Sequence, residues 1–332
     1  MNIVMATCSK CLLSDNIPSV RISSSGLCNY CAVSAKRQNV HGTMDNEFSD
    51  LLDRYKDRKY QVIMALSGGK DSSYTLKLIS EKYKASILAV TFNNGFLSEL
   101  SLQNIKAVTD YLGVDSLIVK YPKDKLLKAF KYVRDGSIYP KVSLERASSI
   151  CNLCIMLVKN MIYYEAIIRD IPIICFGWTP GQVEAAKPIL RLDCRTVSKV
   201  FENVRNSIVG ELGAEYEKYF LNPGFMKENE EKMPWLYYPF AKNVYKESLI
   251  VEEIRRIGWE YPENTDGNSS NCLLNSYANQ CHIDQFGYHP YAFEISNMVR
   301  AGYMNREEGA EKLEKVKNDG SYDIVRKMFE KT

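Results

Sequence analysis

The sequence predicts an α/β protein with a doubly wound parallel sheet, preceded by a small metal knuckle and followed by a helical region. Three observations carry that expectation. Short apolar runs alternate with helical patterns from Tyr60 to about residue 183. A glycine turn, Ser67-Gly68-Gly69-Lys70-Asp71-Ser72-Ser73, stands between the first such run and the first such helix. Two CxxC pairs, Cys8 with Cys11 and Cys28 with Cys31, precede both.

Residues 1–42 are polar, cysteine-bearing and poor in periodic structure, and they form the first expected unit. Sixteen residues separate Cys11 from Cys28, and Ser23-Ser24-Ser25-Gly26 between them suits a hairpin tip. Four thiolates in two such pairs suit tetrahedral zinc, and a four-thiolate site leaves no open position for catalysis. Disulfides or an iron site are the other readings of this pattern.

The second unit spans 43–196. Residues 45–56 read as a short linking helix, and Tyr60-Gln61-Val62-Ile63-Met64-Ala65-Leu66 as the first strand. Ile87-Leu88-Ala89-Val90-Thr91-Phe92 reads as the second strand, and 97–112 as a helix stopped by Gly113. Residues 116–121 read as a strand, 122–134 and 152–169 as helices, and Ile171-Pro172-Ile173-Ile174-Cys175-Phe176-Gly177 as a further strand. Strands joined through helices form parallel sheets covered on both faces, and ligands bind beyond the strands' carboxyl ends. The 67–73 turn, Asn93-Asn94-Gly95 and Trp178-Thr179-Pro180-Gly181 all fall there. The third unit, 197–332, reads as mostly helical, with interruptions at Asn222-Pro223-Gly224 and Met233-Pro234-Trp235.

Composition sets outer limits. The 332 residues are 45% hydrophobic and 25% charged, ordinary for a globular chain of one large or two moderate domains. A net charge of +3 neither demands a nucleic-acid partner nor excludes a local basic patch. No apolar run approaches the roughly 18 residues needed to cross a membrane. The first eight residues lack the basic start and apolar core of a secretion signal, so the cytoplasm is the expected location and no membrane partner is expected. Ten cysteines in that setting point to metal or redox chemistry rather than a disulfide scaffold.

The 67–73 turn is built for an anion. Adjacent glycines let the backbone approach a phosphate, and the helix start offers amides and a positive dipole end. Lys70 adds a positive charge, Asp71 an oxygen ligand for magnesium, and Ser67, Ser72 and Ser73 further donors. The spacing does not fit Walker A. It resembles the SGGxDS signature of the PP-loop ATP pyrophosphatase superfamily, which has a HUP-like fold and splits ATP between the α and β phosphates to adenylate a substrate. That resemblance implies ATP and magnesium as cofactors and Lys70 and Asp71 as catalytic residues. It also implies an ATP site made of Ser67, Gly68, Gly69, Asp71, Ser72 and Ser73. Phe92 and Asn93 are added by their position at the end of the second strand, where relatives hold adenine.

A second cysteine group comprises Cys151, Cys154 and the distant Cys272. Three thiolates hold a [4Fe–4S] cluster with one iron open, although a persulfide-carrying redox pair and inert packing remain readings of the same residues. Cys175 sits in an apolar run, while Cys194 or Cys281 is an alternative third ligand. The layout is similar to iron–sulfur-dependent tRNA thiolation enzymes, which place a CxxC at a helix start and a third cysteine after a later helix begun by a pair such as Lys246-Glu247. It implies an ATP-dependent sulfurtransferase that adenylates a carbonyl or carboxylate oxygen, releasing AMP and pyrophosphate, and replaces it with sulfur by way of the [4Fe–4S] cluster.

The knuckle and the closing segment Gly302-Tyr303-Met304-Asn305-Arg306-Glu307-Glu308-Gly309-Ala310 look instead like N-acetyl-sugar amidotransferases, which take ammonia from a glutaminase partner. A non-catalytic nucleotide-binding protein is the third alternative. Gly177-Trp178-Thr179-Pro180-Gly181-Gln182 departs from the histidine-bearing motif of many thiolation relatives, which favours a small-molecule acceptor over RNA. A sulfur donor or a glutaminase is the expected protein partner, with a homodimer as one possible assembly. His282 and His289 near the third cysteine are candidate general bases but read more often as structural, and the basic group Arg191, Arg195 and Lys199 is as readily a solvated face as a phosphate contact.

Overall fold

The computed structural model describes residues 5–34, 44–183, 188–241, 245–262, 265, 268–269, 271–314 and 320–331. The expected boundary at 42/43 and the first four residues lie outside them. Six strands form one sheet: β1 (Val62–Ala65), β2 (Ile87–Asn93), β3 (Asp115–Lys120), β4 (Ile173–Phe176), β5 (Ile189–Arg191) and β6 (Trp235–Tyr237). Their order is β3-β2-β1-β4-β6-β5. All neighbours are parallel except β5 with β6. The doubly wound sheet that the sequence predicts is therefore present, with one antiparallel edge.

Burial of apolar runs on both faces makes the centre of this sheet. Every residue of β4 and the first three of β1 are buried. One face carries Leu76 and Ile79 of the helix Lys70–Tyr83 and Ile105 and Val108 of the helix Glu99–Leu112. The opposite face carries Phe130 of the helix Lys123–Asp135 and Leu153, Leu157 and Ile162 of the helix Ser149–Ile168. The chain leaves β1 toward β2 on one side and returns to β4 on the other. The β1/β4 boundary is thus the topological switch point, the usual place for a ligand in such sheets.

Local signals set the helix ends. Ser98 accepts from the Ser101 amide at one end of the helix Glu99–Leu112, and Gly113, with φ +63°, closes the other. Ser148 accepts from the Cys151 amide, which starts the Ser149–Ile168 helix three residues earlier than its apolar pattern suggests. That helix is long and apolar enough to cross a membrane, yet more than half of it is buried inside the protein, where it covers the sheet.

The third expected unit, 197–332, is mostly helical but also contributes a strand. β6 inserts between β4 and β5, with Tyr237 wholly buried and stacked on Phe48 at 3.8 Å. The cysteine knuckle packs its own small core, including Leu13, Ile17 and Val20, against Tyr288, Ala292 and Phe293.

Candidate active site: an anion loop and a thiol group in one cleft

The 67–73 turn lies at the carboxyl end of β1, where the sequence places it. Gly68 has φ +78°, and a Cβ there would stand 2.4 Å from the Ser101 carbonyl oxygen. The Trp259 indole N–H donates to the Gly68 carbonyl at 2.9 Å and fixes the turn from behind. Gly69 caps the Lys70–Tyr83 helix without a side-chain bond, and Ser72 Oγ donates to the Gly69 carbonyl. At the end of β4, a Cβ on Gly177 would meet Ser72 Cα at 2.7 Å. A glycine is needed there to let the strand end close on the loop.

A cleft of about 280 Å³ opens at this switch point. Ser67, Gly69, Lys70, Asp71, Ser72 and Phe92 line it, together with Cys154, Trp178, Asn271, Tyr291 and Glu294. Of the expected ATP residues, Gly68 does not line the cleft, its carbonyl being held by Trp259. Ser73 is buried with its hydroxyl unpartnered. Asn93 turns its side-chain oxygen to the Gly95 amide at 2.9 Å.

Lys70 and Asp71 face one another. Lys70 Nζ lies 2.9 Å from Asp71 Oδ2 and 3.9 Å from Glu247, and the Tyr245 hydroxyl donates to Asp71 Oδ1 at 2.7 Å. Lys312 reaches the other side of Glu247 at 3.3 Å. Burial would lower the Lys70 ammonium, but Asp71, Tyr245 and Glu247 outweigh it and hold Lys70 charged, well above its usual range.

Of the three cysteines of the second group, Cys154 lines the same cleft. Asn94, 3% exposed, donates through its amide to Cys154 Sγ at 3.4 Å and Cys272 Sγ at 3.8 Å. Its side-chain oxygen accepts from the Phe96 amide, which holds it in place. The segment around Cys272 is sewn to the turn after β2. Leu97 bridges to Cys272, the Leu273 amide donates to the Phe96 carbonyl, and the Ser98 amide donates to the Asn271 carbonyl. Cys151, one turn before Cys154, donates to Asn275 Oδ1 at 3.8 Å. Burial, with Cys272 and Cys151 nearby, pushes the Cys154 thiol far above its usual range.

Among the described residues, the sulfurs of these three cysteines do not gather within 4.8 Å as the knuckle sulfurs do. Cys194 lies against Glu230, and Cys281 beside Tyr277.

The knuckle closes as a four-sulfur site. Cys8, Cys11, Cys28 and Cys31 are all buried, with their sulfurs within 4.8 Å of one another and Cys11 and Cys28 3.7 Å apart. The Cys28 amide donates to Cys8 Sγ, and the Cys31 amide to Cys28 Sγ. Burial pushes Cys11 up to about 12, whereas against its own burial the Cys11, Cys28 and Lys10 amides bring Cys8 down to about 6. The donor set fits one tetrahedral metal ion.

Four residues escaped the sequence reading in these roles: Glu294, which lines the cleft, and Asn94, Tyr245 and Lys159, which contact the lining residues Cys154, Asp71 and Trp178. Lys159 lies over the Trp178 ring at 4.8 Å and is lowered by burial. Glu294 accepts from Thr179 Oγ1 at 2.8 Å, and burial, opposed by Thr179 and reinforced by Asp71, lifts its carboxyl to about 7. His282 and His289 are buried outside the cleft.

The fold and site define a mostly parallel α/β protein with a glycine-turn anion loop at its switch point. No family model matches the chain. It is 25% identical over 294 residues to an uncharacterized protein of Methanocaldococcus jannaschii, covering 88% of this chain and 86% of that one. It is 33% identical over 88 residues to argininosuccinate synthase of Pelagibacter ubique, covering 26% of this chain and 22% of that one. Among solved structures, it is similar to a U34-tRNA thiolase from Methanococcus maripaludis with its [4Fe-4S] cluster, at a TM-score of 0.39 and 18% identity over 91% of this chain and 88% of that one. It is also similar to the NH3-dependent NAD synthetase of Campylobacter jejuni, at a TM-score of 0.32 and 14% identity over 57% of this chain and 90% of that one.

Proposed function

We propose that this protein is an ATP-dependent sulfurtransferase of the PP-loop type, working in the cytoplasm. The observation that carries the reading is the shared cleft, which holds both the 67–73 loop and Cys154, with Cys272 tied to the same Asn94. ATP lies with its phosphates against the loop. Lys70 leaves Asp71 for the phosphates, and Asp71, still held by Tyr245, takes magnesium. An acceptor carbonyl oxygen forms a bond to the α phosphorus, the bond to the β-phosphate bridge breaks, and pyrophosphate leaves. A sulfur nucleophile then forms a bond to the activated carbon, and AMP leaves with the electron pair of the carbon–oxygen bond.

Cys151, Cys154 and Cys272 fit a [4Fe–4S] cluster. When bound, it supplies an open iron for the sulfur donor. Burial raises the Cys154 and Cys272 thiols above their usual range, so the positive charge of a metal is what would hold them as thiolate ligands. The knuckle takes zinc.

The test incubates MgATP with the protein and, separately, the small-molecule and RNA fractions of a cell extract. AMP and pyrophosphate are the expected products, in step with sulfur incorporation, and Asp71→Asn should lower their formation by at least a hundredfold. ADP and phosphate would overturn the reading. Ammonia incorporation in place of sulfur would assign the amidotransferase alternative.

A further inference from the structure

One helix, Ala292–Arg300, joins the knuckle to the cleft. On its cleft side, Glu294 accepts from Thr179 and Asn297 Nδ2 donates to the Gly181 carbonyl at 2.9 Å. A Cβ on Gly181 would stand 2.4 Å from the Glu294 carbonyl oxygen, so the loop after β4 lies flat on this helix. On its other side, Ser296 Oγ accepts from the Leu12 amide at 3.2 Å. Arg300 donates to Cys31 Sγ at 3.5 Å and Cys11 Sγ at 3.7 Å. Phe293 meets Tyr30 edge-on at 5.2 Å.

The contacts alternate along a single short element. Residues 294 and 297 hold the cleft wall, while 293, 296 and 300 hold the knuckle. Contacts on both faces therefore set the position of this nine-residue helix. We propose that Ser296, Asn297 and Arg300 are positioning residues through which the knuckle metal sets the Thr179–Gln182 wall of the nucleotide cleft. The inference rests on the cleft being a nucleotide site. Coupling of this kind is reciprocal: if the metal improves nucleotide binding, nucleotide must hold the metal by the same factor.

The test uses the full-length, metal-loaded protein and follows zinc release to an excess of chelating dye, with and without the magnesium complex of a non-hydrolysable ATP analogue. Binding of that complex is measured on the same samples by calorimetry. The complex should tighten zinc binding about fivefold or more, the lower end of ordinary coupling, and the gain should appear as slower release, because affinity changes at one site fall mostly in the off-rate. Asn297→Ala and Asn297→Asp, which both lack the N–H donor to Gly181, should lose most of that slowing while holding a full complement of zinc. Ser296→Ala, cut on the knuckle side, should lose it too, whereas Asn297→Gln, which keeps a donor, should restore part of it. If the complex binds but zinc leaves at the same rate with and without it, the coupling is refuted. Full slowing in all three donor- and acceptor-deleted variants would refute it as well. Absence of binding to the wild-type protein would overturn the nucleotide reading itself, and this inference with it.

Discussion

At Gly177 a single hydrogen in place of a side chain lets the end of β4 reach the anion loop. Gly177→Ala should cost about 1–3 kcal/mol of stability by overpacking and weaken MgATP binding, both measurable by calorimetry. Asn94 is a second deciding residue, because one amide serves two thiols. Asn94→Leu should lower iron per chain in anaerobic preparations while leaving zinc unchanged. Glu294 makes a prediction with a definite sign. Its folded carboxyl titrates at about 7 rather than its ordinary 4.5. The unfolded chain therefore gives up this proton first, so Glu294's contribution to stability is full below about pH 4.5 and is lost as pH rises to about 7. In Glu294→Gln, the melting temperature should fall less across that window than in the wild type. The anion loop was legible because all its chemistry lies in seven consecutive residues. Glu294 was not, because its meaning comes from Thr179, 115 positions earlier in the chain.

The elements of the sheet were legible where burial and capping agree. Ser98 and Gly113 bound one helix, and β1, β2 and β4 are apolar runs buried on both faces. β6 was hidden because Met233-Pro234-Trp235 reads as a break and the strand has only three residues. Its pairing with β4 and β5 is set by contacts distant in sequence, which no local pattern reports. The helix Ser149–Ile168 shows the converse. Its composition alone would suit a lipid bilayer, and only its packing on the sheet gives its role as the support of Cys151 and Cys154.

At the scale of the whole molecule, the knuckle, the C-terminal helices and the sheet are joined by contacts between distant segments. Arg306, beyond the helix Ala292–Arg300, donates to the Cys8 and Cys11 carbonyls, and Glu145 accepts from Ser19. His282 and His289 lie in this packing, and burial lowers each to about 4. The unfolded chain takes up these protons near 6.5, so stability should fall as pH drops from about 6.5 toward 4. His282→Phe should flatten that fall in a thermal melt series.

The metal content of the protein purified without oxygen tests most directly whether one cleft serves both ATP and a thiol-held cluster. The expected result is roughly four iron and four sulfide per chain, lost in Cys154→Ser and Cys272→Ser while the knuckle keeps its zinc. Oxygen-free preparations with full zinc and no iron or sulfide would contradict it.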